Sequence, residues 1–188
     1  MPRSATMDGP LTPNATAAIA ATIGIDERGA ANLHVTTFNL DATPVTIVGA
    51  TGVGFGAVQL GTFPQGQILI LGATASLAFP IISTAGNLAN TADGDWAIGT
   101  IAGGCTDGDL TDATDINIIP STATSANSLS TAVGACLLDS AAANRIDGTT
   151  TAVPIWLSVA IDDAETDETS ILGATGNVTI TWVNLGDY

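Results

Sequence analysis

The alternation of apolar and polar residues is clearest towards the C-terminus. In Pro154-Ile-Trp-Leu-Ser-Val-Ala-Ile161, the residues Ile155, Leu157, Val159 and Ile161 fall on one face, and Trp156, Ser158 and Ala160 on the other. This period of two is that of a strand. In Asn177-Val-Thr-Ile-Thr-Trp-Val183, Val178, Ile180 and Trp182 alternate with Thr179 and Thr181. Such a strand packs one side and shows the other to water. Between the two lies Asp162-Asp-Ala-Glu-Thr-Asp-Glu-Thr169, whose like charges place it in a solvated loop.

The same signal recurs upstream. Leu33-His-Val-Thr-Thr-Phe38 and Pro44-Val-Thr-Ile-Val48 read as short strands, with Asn39-Leu-Asp-Ala-Thr43 as their connection. Phe63-Pro-Gln-Gly66 is a turn, and Gln67 to Phe79 is the longest strand candidate. Its first part is apolar on both faces, as in a strand covered on both sides, and Gly72 is the natural place for a bulge. After a polar turn over 87–94, Asp95-Trp-Ala-Ile-Gly-Thr-Ile101 resumes the pattern, and Ile116-Asn-Ile-Ile-Pro120 is a short edge strand stopped by proline. From Thr122 to Arg145 the residues Leu129, Val133, Cys136 and Leu137 recur at helical spacing, while Thr, Ser and Gly134 lower helix propensity. That stretch is expected to be a loop with at most one short helix, and Asp147-Gly148 a turn. Pro2, Gly9, Pro10, Pro13 and Asn14 break regular structure at the N-terminus. Residues 1–32 are therefore expected to be an extended arm, followed by one β domain over 33–188.

Composition agrees with an all-β fold. Thr, Ala, Gly, Ile and Val dominate, Lys is absent, and 188 residues suffice for one domain with a core of its own. The cations are Arg3, Arg28 and Arg145, set against 18 carboxylates, for a net charge of −15. A surface of that sign repels nucleic-acid phosphate, so no direct nucleic-acid binding is expected. The charge favours solubility and suits a salty habitat, where screening reduces self-repulsion. No apolar run approaches the length of a membrane span, and no continuous apolar segment follows Arg3 as in a signal peptide. A soluble chain made in the cytoplasm is expected. Arg3 and Arg28 both lie in the arm, where they are candidates for anchoring to acidic groups of a partner.

Candidate chemistry is sparse. Gly52, Gly54 and Gly56 follow a strand but alternate, with Ala57 where a dinucleotide-binding turn needs its third glycine. They read as a place where backbones approach closely. Asp107-Gly-Asp-Leu-Thr-Asp-Ala-Thr-Asp115 is rich in carboxylates but lacks EF-hand spacing; it and Asp162–Glu168 read as solvated loops, with a calcium site of another kind as the alternative. Cys105 and Cys136 are two small, partly buried residues or a single disulfide. With His34 they fall short of a four-ligand zinc site. His34 itself is expected to be an ordinary polar residue at a strand start, since no motif places a nucleophile or carboxylate beside it. No catalytic residue, cofactor or metal ligand is expected. An enzyme using aspartates as acid and base has no supporting spacing.

One set of segments carries a resemblance. Phe63-Pro-Gln-Gly-Gln-Ile-Leu-Ile-Leu-Gly-Ala73, Gly94-Asp-Trp-Ala-Ile-Gly-Thr100, Asp115-Ile-Asn-Ile-Ile-Pro-Ser-Thr122, Asp147-Gly-Thr149 and Val178-Thr-Ile-Thr-Trp-Val-Asn-Leu-Gly-Asp187 resemble small virion proteins of tailed bacteriophages, especially marine ones. These are described as structural, or as capsid decoration (cement) proteins. The resemblance spans most of residues 60–188. It implies a jelly-roll-like β-sandwich, assembled as a homo-oligomer, a trimer by preference, and bound to the major capsid protein on the outside of an icosahedral shell. It brings no catalytic residues. The other expectation in play is a carbohydrate- or receptor-binding β-sandwich, using Trp96, Trp156 or Trp182 as sugar platforms, although their alternating placement favours the core.

Overall fold

A computed structural model describes residues 22–30, 32–50, 53–82, 94–103, 110, 114, 116–124, 132–136, 145–161 and 169–186. All regular elements among them are strands: β1 (Ile23–Ala30), β2 (Leu33–Ala50), β3 (Val53–Thr62), β4 (Gly66–Ala78), β5 (Gly94–Gly99), β6 (Ile119–Ala123), β7 (Ala132–Cys136), β8 (Arg145–Gly148), β9 (Pro154–Ile161) and β10 (Ser170–Asn184). Every pairing is antiparallel, and the all-β expectation holds.

The pairings are nested. β2 pairs with β10, β3 with β9, β4 with both β7 and β8, and β5 with β6. Further contacts of β10 with β4 and of β9 with β5 join these pairs into two layers. The first layer runs β1-β2-β10-β4-β7, with β8 beside β7 on β4; the second runs β3-β9-β5-β6. β2 links them, since Leu33–Ile47 lies against β10 while Val48–Ala50 lies against β3.

A bulge interrupts the pairing of β2 with β10. Ala174 pairs with Thr43 and Gly176 with Leu40, so Asp41 and Ala42 together oppose Thr175. Ala42 takes a left-handed φ of 50°, and its N–H donates to Thr175 Oγ1 at 3.2 Å. The Asp41 N–H and the Thr43 hydroxyl both donate to the Thr22 carbonyl. An extra residue on one strand bends it; the change of partner from β10 to β3 comes later, between Ile47 and Val48. Gly176 has φ 131°, and the Ser76 carbonyl of β4 stands where its Cβ would be.

Between the layers lies the core. Phe38, Val45, Leu60, Phe63, Ile68, Trp96, Leu157, Val159, Val178, Ile180 and Trp182 are each fully buried. Removing such side chains from water contributes roughly 1.5–3 kcal/mol apiece. The two faces expected for β9 and β10 are those observed: Ile155, Leu157, Val159 and Ile161 point inwards, as do Val178, Ile180 and Trp182. The outer face of the second layer is covered as well. After β5 the chain crosses it, packing Leu110 and Ile116 on Ala97, Ala160 and Phe55, while the Gly103 N–H donates to Ser158 Oγ at 2.8 Å. Ser158 and Ala160 are thereby buried on the side of β9 that alternation assigns to solvent.

Several boundaries differ from expectation. Ile23–Ala30, placed in the arm, is strand β1, which pairs along its whole length with β2. Among the described strands it is an edge strand, and its inward face needs only Ile23 and Ile25, so charges at Asp26, Glu27 and Arg28 mask the alternation. Residues 1–21 lie outside the described residues. Ala132–Cys136 is a strand on β4, not part of a loop or helix, because the sheet edge supplies the pairing that small residues do not announce. Pro120 sits inside β6 instead of stopping it, as an end strand permits. Arg145–Gly148 is strand β8, and the bend follows at Thr149–Thr151. β4 is buried on its inner face and half-buried at Leu69 and Leu71 on the outer one, where both-sided cover was expected. The bulge expected near Gly72 is present: Thr181 pairs with Gly72 and Trp182 with Ile70, leaving Leu71 as the extra residue. Close backbone approach is also found at Gly56, where a Cβ would run into the Thr46 carbonyl.

Candidate functional site

The densest group of polar and aromatic chemistry stands at the hairpin between β1 and β2. Ala30 pairs with Leu33 across a two-residue connection, which sets Gly29 opposite His34 and Glu27 opposite Thr36. The side chains of Glu27 and His34 both turn inwards, and His34 Nδ1 lies 2.7 Å from Glu27 Oε1. The His34 ring stacks on Trp182 of β10, with centroids 4.0 Å apart and planes 10° from parallel. Phe63 meets Trp182 edge-on at 5.3 Å, and the indole Nε1–H donates to Thr36 Oγ1 at 3.0 Å. The stack of His34 on Trp182 follows from register, since the two are cross-strand partners.

A histidine oriented by a carboxylate is two-thirds of a nucleophile-activating arrangement. The third part would have to bond Nε2, and that atom is buried with no hydrogen-bond partner. With its side chain 8% exposed, His34 ties the first hairpin to the last strand. The Glu27 partner had no signal in a motif. It becomes legible only once Ile23–Ala30 is taken as a strand and the hairpin register is set.

The other candidates are dispersed. Trp96 and Trp182 are fully buried and offer no platform to a sugar, whereas Trp156 is partly exposed on the outer side of β9. Arg3 lies outside the described residues. Arg28 is exposed and held by Asp26 at 3.0 Å; that hydrogen bond, then the charge of Asp26, raises its pKa above the usual arginine value. Arg145 donates to the Gln67 side chain. Asp147 accepts from the Thr149 hydroxyl at 2.6 Å and from the Thr149 N–H at 3.1 Å, and these bonds, the hydroxyl's first, hold its carboxyl below its usual range. The aspartates of 107–115 and the acids of 162–168 lie outside the described residues, as does Cys105. Among the described residues no three His, Cys, Asp or Glu side chains gather as metal ligands.

One broader surface is distinctive. On the outer face of the first layer, Thr37, Thr179 and Thr74 form one cross-strand row, and Asn39, Asn177 and Ser76 the next. The hydroxyls of Thr37 and Thr179 are 3.0 Å apart. A third row, Leu33, Val183 and Leu69, is apolar, and Leu33 is 45% exposed. Strands β4 and β10 contain no charged residue, and Leu33–Leu40 of β2 contains no carboxylate. Among the described residues, charge stands at the margins, as Asp26 and Arg28 on β1 and Arg145 and Asp147 on β8, and at Asp41 in the β2 bulge, all exposed. The described part of this face thus sets Asp26, Asp41 and Asp147 against Arg28 and Arg145. Comparison with family models, with curated proteins and with solved structures finds no match.

Proposed function

We propose that this chain is a non-enzymatic structural protein of a phage virion, a capsid decoration protein that binds the outside of an icosahedral head as a homo-oligomer. The observation that carries the reading is the nested strand order. Pairing β2 with β10, β3 with β9, β4 with β7 and β8, and β5 with β6 is what rolling one long antiparallel hairpin into two layers produces, and we read it as a jelly roll. Virus shells are a principal user of that architecture. The segments that carry the resemblance to phage virion proteins supply its framework: Phe63 and Trp182 meet in the core, and Trp96 is buried on β5. The acidity suits a protein that stays in solution until it meets a preformed shell and then gains hold by summing contacts over several copies.

Fold alone does not assign function, so the test is direct. Purified protein is mixed with empty heads of the same phage and sedimented. Co-sedimentation at saturating, regular stoichiometry is the expected result, and protein that stays in the supernatant at every concentration would sink the reading. Lectin domains use jelly rolls too, and Trp156 is the tryptophan with open surface. Glycan-array binding abolished by Trp156→Ala, with no shell binding, would move the assignment there.

A further inference from the structure

We infer that Glu27 guards the open edge of β1: its charge, turned into the sandwich, stops a second copy of this chain from adding there strand to strand. The inference does not depend on the function proposed above.

Topology supplies the edge. Among the described strands β1 pairs with β2 alone, so no described strand lies along its other side. The backbone N–H and C=O groups on such a side are a template for another strand. Ile23 and Ile25 suit a shared core, being apolar and packed inwards. Glu27 is the next inward position and breaks that pattern. Its carboxylate lies 2.7 Å from His34 Nδ1, and 18% of its side chain stays exposed. A strand added to β1 would cover that remainder, and an inward-pointing charge on an edge makes such cover costly.

Register directs the guard against a second copy. Two β1 strands paired antiparallel, with their cores on the same side, are related by a two-fold axis through one residue of each. With the axis at Asp26 or at Arg28, that residue meets its own copy on the outer face. With the axis at Glu27, each Asp26 faces the other copy's Arg28, and opposite charges meet twice. The outer face thus favours this one register. On the inner face the same register sets Glu27 directly against Glu27, and like charges directly opposite on a sheet repel. One side chain therefore cancels the pairing that its two neighbours invite.

The test is sedimentation equilibrium with light scattering on the wild-type protein, Glu27→Val and Glu27→Lys. Both variants lose the bond to His34, but only the first loses the charge. Near-UV circular dichroism checks that each is folded, and Glu27→Gln, which can still accept from His34, replaces the valine variant should that fail. Glu27→Val is expected to form a closed particle of twice the wild-type mass, and Glu27→Lys to keep the wild-type mass. Glu27→Val/Arg28→Glu, which places like charges where the two outer pairs would form, is expected to return to the wild-type mass. A folded, uncharged variant at the wild-type mass would overturn the inference. So would a lysine variant that doubles equally, a double variant that stays paired, or association that grows without limit, since each assigns the effect to lost stability or to another surface.

Discussion

Glu27 and His34 meet at 2.7 Å across the first hairpin, one strand turn away from direct opposition, and through this bond the edge strand β1 is coupled to the stacked Trp182. Removing the acceptor leaves a buried imidazole without its partner. Glu27→Ala is expected to lower stability by about 1–3 kcal/mol, and Glu27→Gln, which can still accept, by less. Urea unfolding reads both through the midpoint at unchanged slope. Equal stability of the alanine variant and the wild type would show that the bond contributes nothing.

Trp182 tests the centre of the same cluster. Trp182→Ala removes a fully buried side chain together with its contacts to His34, Phe63 and Thr36, and is expected to cost about 3–5 kcal/mol. Thr36→Val keeps the shape but strands the indole N–H, for about 1–3 kcal/mol. Thermal unfolding followed by tryptophan fluorescence separates the two.

Two glycines should respond in opposite directions. Gly176 combines φ 131° with the Ser76 carbonyl in its Cβ position, so Gly176→Ala is expected to destabilise by more than about 1 kcal/mol. Gly72, at the other bulge, has nothing within 4 Å of the site a Cβ would take. Gly72→Ala is expected to be neutral or to stabilise by about 0.4–1 kcal/mol, through the unfolded chain. Calorimetry on the pair decides whether backbone shape or space governs each bulge.

Asp147 gives a pH dependence with a definite sign. Its folded pKa is depressed by the Thr149 hydroxyl and N–H, so the associated stability is present above the usual carboxylate pKa and is lost as pH falls through the lower folded value. Titration of the Asp147 carboxyl carbon by NMR should place its midpoint below that of an unstructured aspartate. Thr149→Ala should move it part of the way back, since the backbone N–H remains. An unchanged midpoint in that variant would assign the depression to another source.

Legibility in the sequence followed the demands on each strand. β9 and β10 could be read because each has one face that must be apolar throughout, as Ile155, Leu157, Val159 and Ile161 show. β1 could not, since a strand at a sheet edge meets its obligation with Ile23 and Ile25 and then carries charge. β7 was hidden because Val133 and Leu137 mimic a helical spacing, and pairing with β4 is a non-local fact that no window of neighbours contains. The same limit applied to Glu27, and to the uncharged rows of Thr37, Thr179 and Thr74, which come from three separated strands. Individual residues were visible, but their adjacency was a property of register.

The nesting of strands also sets an order of events in synthesis. β10, made after every other described strand, lies between β2 and β4, so both of those strands present unpaired edges until Ser170–Asn184 has left the ribosome. Trp182 is then the last large core residue to arrive, and it closes on His34 and Phe63, which were made more than a hundred residues earlier. Contacts of such long sequence separation fold slowly, and open edges are sites of aggregation. A nascent chain stalled before residue 170 therefore lacks the strand that joins β2 to β4, and those two open edges are what a cell must protect while the protein is being made.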